Sequence, residues 1–401
     1  MLNTKKTVIN LLFLGMSMGI QVHGQRNLQR AVAEPKIPLF RSYSRMNAIK
    51  HITLGNFPTP IKRLDTLGTL LQTPNLYVKQ DNQSGTLFGG NKLRKLEFLL
   101  GEALASKAKG VLTWGFACSN HTCATAIYCH QLGLPCIVMH LPQLPTAYGR
   151  RNLLLSQHYG AELNYYRGPG ERELATFERA KKFKEQTGGE LYFIPSGGSN
   201  DTGAIGFVNA AFELKEQIAQ GLMPEPDYLY AALGSAGTTA GLILGLKAAG
   251  LKTKVIPMCI EPDDYTEQHK RELLIIIEET SKRLHKADRR FPLIAMKPEE
   301  LTIPFDFVGK GYAHISDEAH QAIELLLQTE GIKLDGTYTG KAFAGLLHDL
   351  ATKDMKDKVV LFWNSFCSTD YNEITSTVDY HQLPAVYHHY FESPLQPNDH
   401  A

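Results

Sequence analysis

The feature that most constrains this chain is a regular alternation of short apolar, β-rich runs with helical patterns. Strands are predicted at Leu76–Lys79, Gly110–Trp114, Cys136–His140, Glu162–Tyr166, Leu191–Ile194, Tyr228–Leu233 and Lys254–Ile260. Between them the spacing predicts helices near 120–132, 150–157, 171–186, 205–220 and 238–249. Strands alternating with helices argue for an α/β fold class, with parallel sheets doubly wound by helices on both faces. At 401 residues the chain can bury a large core and is expected to form two domains. No internal repeat is evident.

A net charge of +2 is too small to point to a nucleic-acid partner. The most basic run, Lys282 to Arg290, is broken by Asp288 and reads as the solvated end of a helix beginning near Glu267. Six cysteines in a chain this long make no disulfide framework and point to a reducing compartment. At the N-terminus Lys5-Lys6 precede an apolar stretch from Val8 to Ile20, and Val22-His23-Gly24 forms a weak cleavage pattern. Asn10, Gly15, Ser17 and Gly19 dilute that stretch, which is short for a membrane span. The expectation is a disordered leader over 1–36, a fold starting near Ile37, no membrane association and a cytoplasmic location. A secretory signal, giving a periplasmic or secreted protein, is the alternative. The tail from Asp370 onward is rich in His, Tyr and Pro; its last ten or so residues are expected to be disordered. His388 and His389 there show no ligand spacing.

The run Gly89-Gly90-Asn91-Lys92-Leu93-Arg94-Lys95-Leu96-Glu97 joins a strand to a helix. Two glycines let the backbone turn sharply and approach a ligand. A lysine amine held at such a turn is placed to form an imine with an aldehyde. A surface turn opening an amphipathic helix would look the same. Gly234-Ser235-Ala236-Gly237-Thr238-Thr239 forms a second strand-to-helix turn. It presents backbone N–H groups and small hydroxyls at a helix N-terminus, where dipole and donors favour an anion such as a phosphate. A dinucleotide site is the rival, since Glu261 ends the next strand. The glycine spacing, with two residues between Gly234 and Gly237, does not fit that fingerprint.

Ser119-Asn120-His121-Thr122 opens another helix. Ser119 and the N–H groups of Asn120 and His121 can receive a carboxylate, and Ser119 is equally an ordinary helix cap. Cys118, His121, Cys123 and Cys129 cluster here, but no zinc spacing is matched, so no metal is expected. These cysteines read as small buried hydrophobes.

Together these stretches resemble the deaminase and desulfhydrase branch of the pyridoxal-phosphate (PLP) enzymes of fold type II, which is tryptophan synthase β-like. That branch comprises 1-aminocyclopropane-1-carboxylate deaminases and D-cysteine desulfhydrases, both acting on small amino acids. The likeness runs from Thr53–Pro60 to about Leu361. It implies Lys92 as the Schiff-base lysine, with Lys95 simply part of the helix, and Asn120 as partner of the cofactor's phenolic oxygen. The turn Gly234 to Thr239 then takes the PLP phosphate, and Ser119 faces the substrate. In Leu334-Asp335-Gly336-Thr337-Tyr338-Thr339-Gly340-Lys341, the resemblance makes Tyr338 a substrate-facing proton donor and Thr339 the ring-nitrogen partner. Tyr312 matches a second tyrosine of the family. The resemblance also implies PLP in a cleft between two doubly wound domains and a homodimer. Residues 37–94 and 206–370 would form the larger domain, 95–205 the smaller inserted one, and 371–401 a tail.

Thr339 favours the desulfhydrase side. Deaminases of this family generally carry an acid there, which keeps the ring nitrogen protonated and strengthens the electron sink. Ser365 points the same way if Trp363-Asn364-Ser365 aligns with the segment that carries a hydroxyl residue in desulfhydrases. The next residues, Phe366-Cys367, replace the usual paired glycines and are expected to add bulk to the cleft. The reading is a PLP-dependent lyase resembling D-cysteine desulfhydrase. A 1-aminocyclopropane-1-carboxylate deaminase and a PLP-binding protein without catalysis are the alternatives.

Overall fold

The computed structural model describes residues 37–261 and 266–399. The expected leader, with its apolar stretch and cleavage pattern, lies outside the described residues. Among those described, nine strands build two sheets. The first has the order β1-β2-β9-β7-β8, from β1 (Ile61–Arg63), β2 (Leu76–Gln80), β7 (Tyr228–Leu233), β8 (Lys254–Cys259) and β9 (Val360–Asn364). The second has the order β5-β4-β3-β6, from β3 (Gly110–Phe116), β4 (Cys136–Leu141), β5 (Glu162–Tyr165) and β6 (Leu191–Ile194).

All pairings in the second sheet are parallel, and in the first sheet the edge pair β1–β2 is antiparallel. The α/β fold class expected from the alternation is therefore the observed one, with one mixed sheet. Successive strand residues serve opposite faces, as pleating requires. In β3 and β4, Val111, Cys136 and Val138 pack with the helices Asn120–Gln131 and Ala147–His158. Their neighbours Leu112, Ile137 and Met139 pack with Phe183 of the helix Pro169–Thr187. In the first sheet Val78, Tyr230 and Phe362 face the helices Asp317–Glu330 and Thr339–Thr352. Leu229, Leu361 and Trp363 face Asp201–Ala219 and Gly237–Ala249. Both sheets are wound on both faces, and the second sheet is a contiguous insertion between β2 and β7 of the first.

A buried polar cluster seats the helix Asn91–Ala105 on the first sheet. Lys79, Asp81, Arg94 and Glu213 are at most 2% exposed. Arg94 donates from Nε and Nη2 to Asp81 at 2.8 and 2.7 Å, and from Nη1 and Nη2 to Glu213 at 2.9 and 3.0 Å. Lys79 Nζ donates to Glu213 at 2.6 Å, and Trp363 Nε1 to Asp81 at 2.7 Å. Two cations and two carboxylates balance, which is the condition for burying them. Leu93, Leu96 and Leu99 on the same helix are fully buried, each contributing about 1.5–3 kcal/mol.

Two expectations about surface segments are corrected. The end of the tail, expected to be disordered, is packed as far as Asp399: Gln396 Nε2 donates to Ala313 O and Asp399 Oδ2 accepts from Ala147 N, both at 2.8 Å. Tyr387 and Tyr390 are fully buried, and Arg150 donates to Tyr390 O and Ser393 O at 2.8 and 2.5 Å. Aromatic rings on apolar surface order a segment whose composition reads as polar. The basic run is not simply solvated either, because Arg283 pairs with Glu102 and Asp201 at 2.8 and 3.0 Å.

Candidate active site

The carboxyl ends of strands from both sheets converge on one cavity of about 290 Å³, where ligands of open α/β sheets are bound. Gly115 and Phe116 come from β3, Leu141 from β4, Ser196 and Gly197 follow β6, and Glu261 follows β8. The lysine turn, the Ser119 turn and the Gly234 turn all open into it.

Gly90 sits at φ +85°, and a Cβ there would lie 2.7 Å from Ser365 O. Only glycine lets the chain pass this close to the segment after β9 while turning into the helix. Asn91 and Lys92 then line the cavity. Burial lowers the Lys92 ammonium pKa to about 8, with Asp335 opposing the shift.

In the Gly234 turn, Ala236 adopts φ +63°. Ala236 N and Gly237 N donate to Gly234 O and Ser235 O, both at 2.8 Å, while the N–H groups of Thr238 and Thr239 in the first turn have no carbonyl partner. Gly234, Ser235, Ala236, Thr238 and Thr239 line the cavity. Gly237 is not itself a wall residue; a Cβ there would meet Ser199 Oγ at 2.6 Å and Lys95 Nζ at 3.0 Å. Asn91 Nδ2 donates to Thr238 Oγ1 at 3.0 Å, tying the two turns together. Ser199 Oγ lies 2.9 Å from Ser235 Oγ and accepts from Gly237 N at 3.2 Å.

The sequence reading missed Lys95. Its Nζ donates to Gly197 O and Ser199 Oγ, both at 3.0 Å, beside the Gly234 turn. Burial first, and Lys92 second, lower its pKa well below the ordinary value. Two buried lysines with no carboxylate in hydrogen-bond contact leave an electrostatic deficit that an anion satisfies.

Ser119, Asn120 and His121 line the opposite wall. Ser119 Oγ accepts from His121 N at 3.1 Å and Thr122 N at 3.4 Å, so the capping role is present. Asn152 Nδ2 donates to Asn120 Oδ1 at 2.9 Å, which leaves the Asn120 amino group to donate into the cavity. Burial, with Lys92 and Lys95 nearby, holds the His121 imidazole neutral. Its Nε2 lies 2.9 Å from Thr113 Oγ1.

Tyr312 and Tyr338 both line the cavity and join their hydroxyls in a hydrogen bond. Burial raises both pKa values, so both groups hold their protons. Thr339 does not reach the cavity. Its Oγ1 donates to Asp335 Oδ2 at 2.7 Å and accepts from Asp335 N at 2.9 Å. Asp335 lines the cavity in its place, accepting also from Thr337 N and Tyr338 N at 3.0 and 2.7 Å. Ser365 and Phe366 line the cavity, but Cys367 is turned away. Its Sγ accepts from Gly89 N at 3.2 Å and lies 3.3 Å from Tyr371 Oη. Only one of the two bulky replacements therefore narrows the cleft. The cysteines Cys118, Cys123 and Cys129 are buried thiols. Among the described residues no group of His, Cys, Asp or Glu is arranged to hold a metal ion.

One cavity at the carboxyl ends of both sheets thus gathers a buried lysine of depressed pKa, three strand-to-helix turns and two tyrosines. The family model described as pyridoxal-phosphate dependent enzyme matches residues 52–365. A Pyrococcus furiosus protein with the provisional name 1-aminocyclopropane-1-carboxylate deaminase is 34% identical over 321 residues, 80% of this chain and 92% of that one. A D-cysteine desulfhydrase of Yersinia enterocolitica is 33% identical over 308 residues, 76% of this chain and 89% of that one. A solved structure of an ACC (1-aminocyclopropane-1-carboxylate) deaminase homologue superposes with a TM-score of 0.70 at 29% identity, covering 87% of this chain and 98% of that one. The chain belongs to the pyridoxal-phosphate dependent enzyme family, in its deaminase and desulfhydrase branch.

Proposed function

We propose that this PLP-dependent lyase eliminates the β-substituent and amino group of a small amino acid, as a D-cysteine desulfhydrase does. The observation that carries this is the Lys92 amine, buried with a pKa near 8, in one cavity with the Gly234 turn, Asn120 and two protonated tyrosines.

These residues fit the cofactor. Lys92 would hold its aldehyde carbon, Asn120 its phenolic oxygen, and Ser235 to Thr239 with Lys95 its phosphate. Asp335, held by Thr339, would face its ring nitrogen. When bound, PLP supplies an electron sink for negative charge developing at the substrate's Cα. Ser119, with the N–H groups of Asn120 and His121, orients the substrate carboxylate. The Lys92 amine removes the Cα proton as general base. Tyr338, with Tyr312 behind it, delivers a proton to the departing β-substituent. From D-cysteine and one water the products are pyruvate, ammonia and sulfide.

A 1-aminocyclopropane-1-carboxylate deaminase is the second reading, supported by the Pyrococcus furiosus relative and the solved homologue. Thr339 does not weigh against it, because the acid Asp335 and not Thr339 lines the cavity. A cytoplasmic homodimer is our proposal for the assembly; among the described residues no helix is long and apolar enough to cross a membrane. The experiment is to offer both cysteine enantiomers and 1-aminocyclopropane-1-carboxylate to the purified protein, assaying pyruvate, sulfide and 2-oxobutyrate. Pyruvate with sulfide supports the first reading and 2-oxobutyrate the second. Cofactor binding with no turnover of any of them would leave only a PLP-binding protein.

A further inference from the structure

Resting on the lyase reading above, we infer that Arg172 is a specificity-determining residue that selects amino acids whose β-substituent carries an anion, such as a phosphate ester. Arg172 lies in the first turn of the helix Pro169–Thr187 and lines the same cavity as Lys92.

Its placement is built rather than loose. The guanidinium carbon stands 4.1 Å from the Trp114 ring centroid, a stacking geometry that suits a planar cation. Trp114 is fixed in turn. Its Nε1 donates to Thr176 Oγ1 at 2.9 Å, and the Phe193 ring meets it edge-on at 4.9 Å between centroids.

Among the described residues no carboxylate forms an ion pair with Arg172, and Glu173 acts on it only as a neighbouring charge without a hydrogen bond. Arg172 Nε is buried with no hydrogen-bond partner. Among the described residues, Arg179 Nη1 and Arg283 Nε also lack a hydrogen-bond partner, but Arg94, Arg179 and Arg283 all pair with carboxylates. The two acids of the cavity wall are engaged elsewhere, Glu261 at 3.2 Å from His269 Nε2 and Asp335 by its backbone donors and Thr339. A guanidinium cannot shed its proton to relieve burial, so an oxyanion presented in the cavity is its natural partner. The substrate carboxylate and the cofactor phosphate already have their own helix N-termini. The anion left for Arg172 is therefore one carried by the substrate side chain, beyond the apolar walls of Phe116 and Leu141.

For O-phosphoserine the Cα proton passes to Lys92, and the Cβ–O bond breaks with its electron pair on oxygen. Water is consumed to release pyruvate and ammonia, so the products are pyruvate, ammonia and inorganic phosphate.

The test compares O-phosphoserine with neutral 3-chloroalanine, each as both enantiomers, in wild type, Arg172→Met and Arg172→Lys. The ratio of their kcat/KM values should fall about 10- to 100-fold in Arg172→Met, mostly through KM, and recover in part in Arg172→Lys. Binding is measured separately with 2-methylaspartate and 2-methylalanine, which lack a Cα proton and cannot eliminate, read by tryptophan emission. Wild type should hold the anionic analogue more tightly, and Arg172→Met should lose that preference. A wild type that converts 3-chloroalanine but whose ratio and binding preference ignore Arg172 overturns this assignment and leaves the lyase intact. No pyruvate from 3-chloroalanine overturns the lyase reading instead, and the binding arm still decides the role of Arg172.

Discussion

Lys92 and Lys95 stand one helical turn apart, yet their amines end at different places. Lys92 opens into the cavity, whereas Lys95 Nζ lies 3.0 Å from Ser199 Oγ behind the Gly234 turn. Under the proposed function, neighbouring residues of one motif would thus divide covalent attachment from phosphate binding.

Replacing them should therefore give distinct defects. Lys92→Ala should lose the visible absorbance of the bound cofactor together with turnover. Lys95→Met should retain that absorbance at saturating cofactor but weaken its affinity about 10- to 100-fold, the loss expected for one charge-assisted contact. A cofactor titration of dialysed protein separates the two.

The attachment step should depend on pH. A neutral amine attacks an aldehyde, and the Lys92 pKa is near 8 rather than its ordinary 10.5. The rate at which cofactor-free protein takes up PLP should rise about tenfold per pH unit up to about pH 8 and level off above it. Stopped-flow absorbance between pH 6 and 9.5 (roughly this range) reads the inflection; a midpoint near 10.5 would contradict the placement of Lys92.

Arg94→Met should destabilise the fold by about 3–5 kcal/mol, because it leaves Asp81 and Glu213 buried without their shared cation. Denaturant unfolding measures this. Burial alone would raise the Glu213 carboxyl, but Arg94 and Lys79 hold it at about 2, below its ordinary 4.5. The folded pKa is depressed, so this stability is complete above about 4.5 and drains away as pH falls toward 2. Acid unfolding of wild type should begin in that window.

The loop beside Tyr312 is held from two directions. Lys341 Nζ donates to Gly311 O at 2.8 Å, while Gln396 of the tail donates to Ala313 O at 2.8 Å and accepts from Ile315 N at 3.2 Å. Gln396→Ala should lower kcat about two- to tenfold and stability by about 1 kcal/mol. Steady-state kinetics with a parallel melting curve check it; an unchanged kcat would mean that the tail does not position Tyr312.

What could be read in advance was what is local along the chain. The strand–turn–helix passages around Lys92, Ser119 and Gly234 carry their own signals of glycine, small hydroxyl and helical period. Lys95 gave no such signal, since its partner Ser199 lies 104 positions away. Arg94 and Glu213 are 119 positions apart and meet only after both sheets are assembled. β9 was missed because four buried apolar residues followed by a buried asparagine carry no period that separates strand from helix. Thr339 was placed by resemblance, and a hydrogen bond to Asp335 takes its hydroxyl out of the cavity wall. The end of the tail was misjudged because composition does not reveal that Gln396 and Asp399 bond to Ala313, Ile315 and Ala147 across the fold.

The four charges beneath the Lys92 helix restrict how this protein can diverge. Losing any one of them strands a neighbour in the interior, so viable variants must exchange the quartet together or keep it whole. An all-hydrocarbon substitute could match it in stability, but it would lose the directional bonds from Arg94 that help fix the helix register. A helix free to slip would carry the reactive amine about 5.4 Å out of alignment, far outside bonding distance of anything in the cleft.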